Sequence, residues 1–177
     1  MLYKQIFTEH PDYIDAFLRL SFLARKRGDI NRCLYWIDEA CKSKARAPVN
    51  QHCLKGKILF DIGQVNEAAN QFKYVLERVV PDDSYSFLGL ANICFHQAMQ
   101  TRDNSNGEQD RFLVKAYNKY LEILYHDQTN CYACIGLANV LAFFNKTDDA
   151  LEIFKLISHS NQNMYEPLLN QAHLSIG

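Results

Sequence analysis

A small residue, a bulky one four places on and an apolar one three places further recur four times along this chain. The sets are Cys33, Ile37, Ala40; Ala68, Phe72, Val75; Ala116, Tyr120, Ile123; and Ala150, Phe154, Ile157. Steps of four and three put each trio on one stripe of a helix. A second small residue recurs upstream, at Ser21, Gly56, Ala91, Ala138 and Ala172. From Ser21 to Cys33, Gly56 to Ala68 and Ala138 to Ala150 the gap is twelve residues each time, and the upstream series advances by 35, 35, 47 and 34. Two helices can approach closely only where small side chains let their backbones meet and a large ring fills the space beside them. Helices of about twelve residues are marginal alone in water, so each must bury its stripe against neighbours.

A period near 34 with two helices per unit is the tetratricopeptide signature. The expected fold is all-α: a tetratricopeptide-repeat α-solenoid of antiparallel helix pairs. About four repeats are expected over a single array at 1–177, with partial repeats at both ends. The repeats fall near 1–12 (partial), 13–47, 48–82, 83–129 with an insertion near 99–111, 130–163 and 164–177 (partial). Gly28 and Gly63 mark turns inside repeats, and Pro11, Pro48 and Pro81 mark junctions where a helix must stop. Asp12, Asp29, Asp83, Asn130 and Thr147 stand where N-caps would accept from orphan amides. Helices are therefore expected near 2–9, 13–27, 30–43, 49–61, 65–79, 84–99, 109–126, 131–144, 148–159 and 164–175. Tyr3 and Ile6 read as a second helix without its first, and Leu168 to Gly177 as a first helix without its second. An excerpt from a longer protein is expected.

The gap of twelve breaks once. From Ala91 to Ala116 it is 25, so thirteen extra residues lie inside the third repeat. The segment from Gln100 to Arg111 holds no apolar residue and reads as an exposed loop between helices lengthened by a turn. A tolerated insertion costs little closure entropy, while a long loop in a compact repeat can bind a partner; both readings stand.

Composition narrows the function classes. Nineteen basic against twenty acidic residues give a formal net charge of −1, which supplies no concentrated basic face for phosphate neutralisation. Direct sequence-specific nucleic-acid binding is not expected, and the run Arg25-Lys26-Arg27 reads as a solvated helix end beside Gly28. No apolar run reaches the roughly 18 residues that cross a bilayer, so no membrane partner is expected. The opening Met1 to Glu9 has no basic region followed by an apolar core, and the six cysteines then read as reduced thiols of cytosol or nucleus.

Candidate chemistry is thin. Cys131 and Cys134 form a CxxC, but a redox site of this kind normally follows a strand, and none is expected here. A zinc site needs four ligands, and His126 alone is nearby. The six histidines are scattered over different repeats, with no nucleophile paired to one. Neither a catalytic residue, a cofactor nor a metal is expected. Trp36, one place before Ile37, is open to core packing or to anchoring a partner.

A partner is expected on the concave face, which the first helix of each repeat lines. By register the lining is Leu18, Phe22 and Arg25; Cys53, Lys57 and Phe60; Tyr85, Leu88, Asn92 and Phe95; and Tyr132, Ile135, Asn139 and Phe143. An apolar, aromatic lining with amides at Asn92 and Asn139 suits an extended or helical peptide. Leu18 and Phe22 stand where chaperone-binding repeats carry a carboxylate clamp, which argues against an acidic tail as ligand.

Beyond the repeat class, particular residues carry a resemblance. The inserted third repeat is preceded by Asp83-Ser-Tyr-Ser and Leu90-Ala-Asn, and followed by Ala116-Tyr117, Tyr120 and Leu121. Gly136-Leu-Ala-Asn-Val-Leu-Ala142 and Asn170-Gln-Ala-His173 come next, and the opening runs Glu9-His-Pro-Asp-Tyr-Ile-Asp-Ala-Phe-Leu-Arg-Leu20. In that order they resemble the mid-chain repeats of the tetratricopeptide scaffold subunit of the RNA polymerase II-associated factor (Paf) complex. The departures are Asn145 for the turn glycine, Gln171 for an apolar residue, and Cys53 and Lys55 in the second repeat. The resemblance implies a nuclear protein whose partners are Paf complex members and the RNA polymerase II machinery, acting in transcription elongation and co-transcriptional histone modification. Two alternatives stand beside it: an unrelated cytosolic tetratricopeptide adaptor, and a thiol oxidoreductase using Cys131 and Cys134.

Overall fold

A computed structural model describes residues 13–42, 48–101, 107–160 and Asn170. Among the described residues there are eight helices: α1 Ile14–Lys26, α2 Ile30–Lys42, α3 Val49–Asp61, α4 Val65–Arg78, α5 Ser84–Gln100, α6 Glu108–His126, α7 Cys131–Phe143 and α8 Thr147–Ser160. Each end lies within one residue of its expectation. The helix expected at 2–9 falls outside the described residues, and so, but for Asn170, does the one expected at 164–175.

Helices α1 and α2, α3 and α4, and α7 and α8 pack as hairpins across three-residue turns. The three turns close identically. Asp29, Gln64 and Lys146 donate their amides to the carbonyls of Ala24, Leu59 and Leu141, at 3.0, 2.9 and 3.0 Å. Such a closure requires a left-handed residue just past the helix. Gly28 and Gly63 fill that place with φ of 75° and 83°, and Asn145 fills it with φ of 58°. Asparagine is the side chain that tolerates this region best after glycine, so the missing glycine leaves the turn intact.

Three of the five expected caps form. Asp29, Asp83 and Asn130 accept from the amides of Arg32, Ser86 and Ala133 at 3.0, 2.8 and 3.1 Å. Thr147 does not cap: it is already the first residue of α8, and the Ala150 amide bonds instead to the carbonyl of Lys146. Asp12 lies outside the described residues.

All twelve members of the four trios are buried, none more than 4% exposed. The upstream small residues explain why. A Cβ built on Gly56 would lie 2.8 Å from Cζ of Phe72, so the ring needs the bare backbone of α3. Ser21, at the same place in α1, turns its hydroxyl inward and donates to the Cys33 carbonyl at 3.0 Å.

The thirteen extra residues of the third repeat can be located. Counted from Ala91 and Ala116, α5 gains four residues at its C-terminal end and α6 five at its start. Seven residues, 101–107, separate the two helices where the other hairpins have three. The added turns are not bare: Ala98 and Leu113 are buried in one cluster with Ala91, Ala116 and Tyr120, and Gln109 donates to the Ala98 carbonyl at 3.2 Å. The insertion thus lengthens a hairpin at its far end without shifting its base. The chain divides into two compact units between Ser86 and Phe87, inside the first turn of α5.

Candidate functional site

In the first unit, α1 and α3 carry six of the expected lining residues. Phe22 is half-exposed with the Lys26 ammonium 5.1 Å from its ring centre. Leu18 and Phe60 are partly covered, and the Lys57 ammonium lies 5.9 Å from the Phe60 ring. Arg25 and Lys57 converge on one acceptor: Arg25 pairs with Asp61, and Lys57 with the other carboxylate oxygen of Asp61 at 2.8 Å. The structure therefore brings α1 and α3 together through a shared carboxylate that the sequence reading did not single out. Cys53 is a correction, since it is buried and faces the junction, not the lining. Its thiol donates to Asp83, the cap of α5, at 3.6 Å and sits 3.4 Å from the Ser86 hydroxyl. Burial pushes that thiol up to about 11. Tyr85 is half-exposed and packs on the Phe72 ring, with centroids 6.4 Å apart.

In the second unit the expected lining residues stand on α5 and α7. Phe95 and Phe143 meet edge to face with centroids 5.6 Å apart, joining the two first helices. Asn92 is exposed, and its side-chain oxygen accepts from the Tyr120 hydroxyl at 2.7 Å. Asn139 accepts from the side chain of Asn170 at 3.2 Å. Leu88 is partly covered, packed against the cluster around Tyr120, and Tyr132 is well exposed. Ile135 is a correction: it is 7% exposed and packs with Leu141, Phe154 and Ile157. A first helix is covered both by its own partner and by the preceding second helix, so its apolar face is wider than one stripe.

One structural residue escaped the sequence reading. A Cβ on Gly136 would lie 2.3 Å from Cε1 of Tyr120, so α7 approaches α6 over a glycine that precedes the repeat's small residue by two. Tyr120 is fixed at both ends, by Gly136 against its ring and by Asn92 at its hydroxyl. Trp36 is partly buried, with Phe17 6.2 Å from it and Tyr35 edge-on at 5.0 Å.

Cys131 and Cys134 stand at the start of α7 and form no disulfide. Burial, and to a smaller extent Cys131 and Asp127, push the Cys134 thiol above its usual range. A thiol used for exchange needs the opposite shift. No group of three histidine, cysteine or carboxylate side chains able to hold a metal occurs among the described residues, and none of their helices is long and apolar enough to cross a membrane.

The helical pairing has known counterparts. TTC0263, a thermophilic tetratricopeptide protein of Thermus thermophilus, superposes with a TM-score of 0.76 at 17% identity, covering 92% of this chain and 81% of that one. YrrB, a tetratricopeptide protein with an unusual peptide-binding site, gives 0.64 at 11% identity, covering 96% and 80%. No family model matches the chain. In sequence, the RNA polymerase-associated protein CTR9 of Caenorhabditis elegans is 27% identical over 176 residues, 98% of this chain and 15% of that protein. The chain is a tetratricopeptide array related to CTR9. The CTR9 homologue of Arabidopsis thaliana gives the same 27% over 159 residues, 90% of this chain and 14% of that protein. The array thus spans about 15% of the length of its CTR9 relatives.

Proposed function

We propose that this array is a protein-binding segment of a CTR9-like scaffold subunit, acting within an RNA polymerase II-associated (Paf) complex in elongation and histone modification. What supports the reading is similarity to CTR9 over 98% of the chain, in which the packing trios leave rings on the first helices of each unit unburied. Phe22, Tyr85, Tyr132 and Phe143 are each close to half-exposed or more, and aromatic side chains are enriched at protein interfaces. Exposed rings beside cations form the anchor-and-rim arrangement of protein interfaces. The work of such a segment is binding, and a nuclear location follows from the same reading. The partner surface is the first-helix face within each unit: Leu18, Phe22, Arg25, Lys57, Phe60 and Tyr85 in one, and Leu88, Asn92, Phe95, Tyr132, Asn139 and Phe143 in the other.

The test is affinity purification of the full-length protein and of its Phe22→Asp and Phe143→Asp variants. Polymerase-associated factors should accompany the parent and be reduced about tenfold or more in at least one variant, with far-ultraviolet circular dichroism unchanged. If unrelated cytosolic proteins come down with the parent instead, the cytosolic adaptor is the correct reading.

A further inference from the structure

Ile37, Phe72, Tyr120 and Phe154 fill equivalent packing positions, yet of the four only Tyr120 carries a polar end. It is 1% exposed, with its ring against Gly136, and its hydroxyl donates to the side-chain oxygen of Asn92 at 2.7 Å. Burial, and to a smaller extent Cys94, push the phenol above its ordinary range, so the hydrogen that makes this bond stays in place across ordinary pH. Asn92 itself is exposed, one place beyond the small residue Ala91 on the first helix. A core ring thus reaches a side chain of the expected partner face. An aliphatic or phenyl group at the same position has no hydroxyl with which to do so.

Asn92 stands between Leu88 and Phe95, four residues after one and three before the other, on one stripe of α5. An extended segment covering those two apolar side chains brings its backbone over Asn92, and a covered backbone carbonyl needs a donor. An asparagine side chain carries its acceptor and its donors on two branches of one planar amide, so a bond that fixes the oxygen also fixes the direction of the NH2. The expected lining of this unit, Leu88, Asn92, Phe95, Tyr132, Asn139 and Phe143, contains no cation, which favours a neutral acceptor over a carboxylate.

We propose that Tyr120 is a positioning residue for partner recognition, holding the Asn92 amide so that its NH2 donates to a backbone carbonyl of an extended segment lying along α5. The inference rests on the reading of the first-helix face as the partner surface, and adds to it a tether from the core. An untethered asparagine on a helix surface gives up rotamer freedom when a partner engages it, whereas one already held loses less.

The experiment titrates capture of polymerase-associated factors by the full-length protein and its variants, so that apparent affinity is read. Tyr120→Phe should fold, because phenyl rings fill the same position at Phe72 and Phe154, and circular dichroism with chemical denaturation checks it. It should weaken capture about threefold, the loss expected when one more side chain must be immobilised on binding. Asn92→Asp keeps an oxygen for the Tyr120 hydroxyl but exchanges the donors for an acceptor, and should weaken capture about tenfold or more. The deciding measurement is a double-mutant cycle: Tyr120→Phe should change nothing further once Asn92→Ala is in place. A hydroxyl that served only the fold would weaken capture equally in both backgrounds. Such additivity overturns the proposal, as does undiminished capture by Tyr120→Phe or by Asn92→Asp. Phe143→Asp losing the factors while Tyr120→Phe keeps them would sink the tether and leave the scaffold reading standing. Absence of polymerase factors from the parent would remove both.

Discussion

The hairpins α3–α4 and α5–α6 solve one packing problem at two lengths. Both bury a small residue on the first helix, then a small residue, a ring and an apolar residue on the second. In α3–α4 the ring is Phe72, set against Gly56 of its own repeat; in α5–α6 it is Tyr120, set against Gly136 of the next. The longer hairpin adds its residues beyond the small ones, so the base is common and only the tip differs. Register is therefore decided where the backbones come closest, and length is decided where they do not.

The sharpest way to break the comparison is to remove the rings. Tyr120→Ala and Phe72→Ala should each cost about 3–5 kcal/mol in chemical denaturation. Tyr120→Ala should fall at the upper end, because it also removes the hydrogen bond to Asn92. A smaller effect separates the glycines. Gly136→Ala should destabilise by about 1–2 kcal/mol, overpacking against a ring that cannot retreat outweighing the gain in helix propensity. Gly56→Ala should cost less, since the clash there falls on the outer atoms of Phe72, whose far end nothing holds by a hydrogen bond. If the two glycines behave alike, the tether at Asn92 has no mechanical role.

Smaller still is the effect of the tip. Replacing residues 97–112 by the turn Ile62-Gly63-Gln64 restores the gap of twelve. The variant should fold with its melting temperature lowered by about 2–4 °C, the equivalent of about 1 kcal/mol as Leu113 loses Ala98. Loss of cooperative melting would show that the extension helps to set the register. The slightest effect is chemical. Cys134, raised by burial, holds less thiolate at neutral pH than an ordinary cysteine, so iodoacetamide should modify it more slowly than a free thiol peptide at about pH 8. The deficit should narrow only as pH climbs past the usual thiol range, and a rate above that of the peptide would restore the redox reading.

How much of this was legible varies by residue. Polar residues on α2, α4 and α6 fix the phase of their stripes, and there the trios and the boundaries were readable. Helix α7 carries Asn139 as its one strongly polar side chain, so periodicity could not tell that Ile135 faces inward or that Gly136 is where a ring arrives. Spacing allows the Lys57–Asp61 pair, four apart on one helix, but could not show Arg25 on the same carboxylate, because that contact joins residues 36 apart. The cap at Thr147 failed for a local reason: a position two residues past a left-handed Asn145 leaves no room for a threonine outside the helix.

Asp61 has a consequence for what the first unit can attract. Arg25 and Lys57 supply two positive charges to the first-helix face, yet both already hold the same carboxylate, so the pair presents one net charge where two stand in the sequence. An acidic visitor would have to evict a resident acid already held within the fold. A greasy or aromatic one meets no such competitor, and selectivity on this face begins with an internal rival.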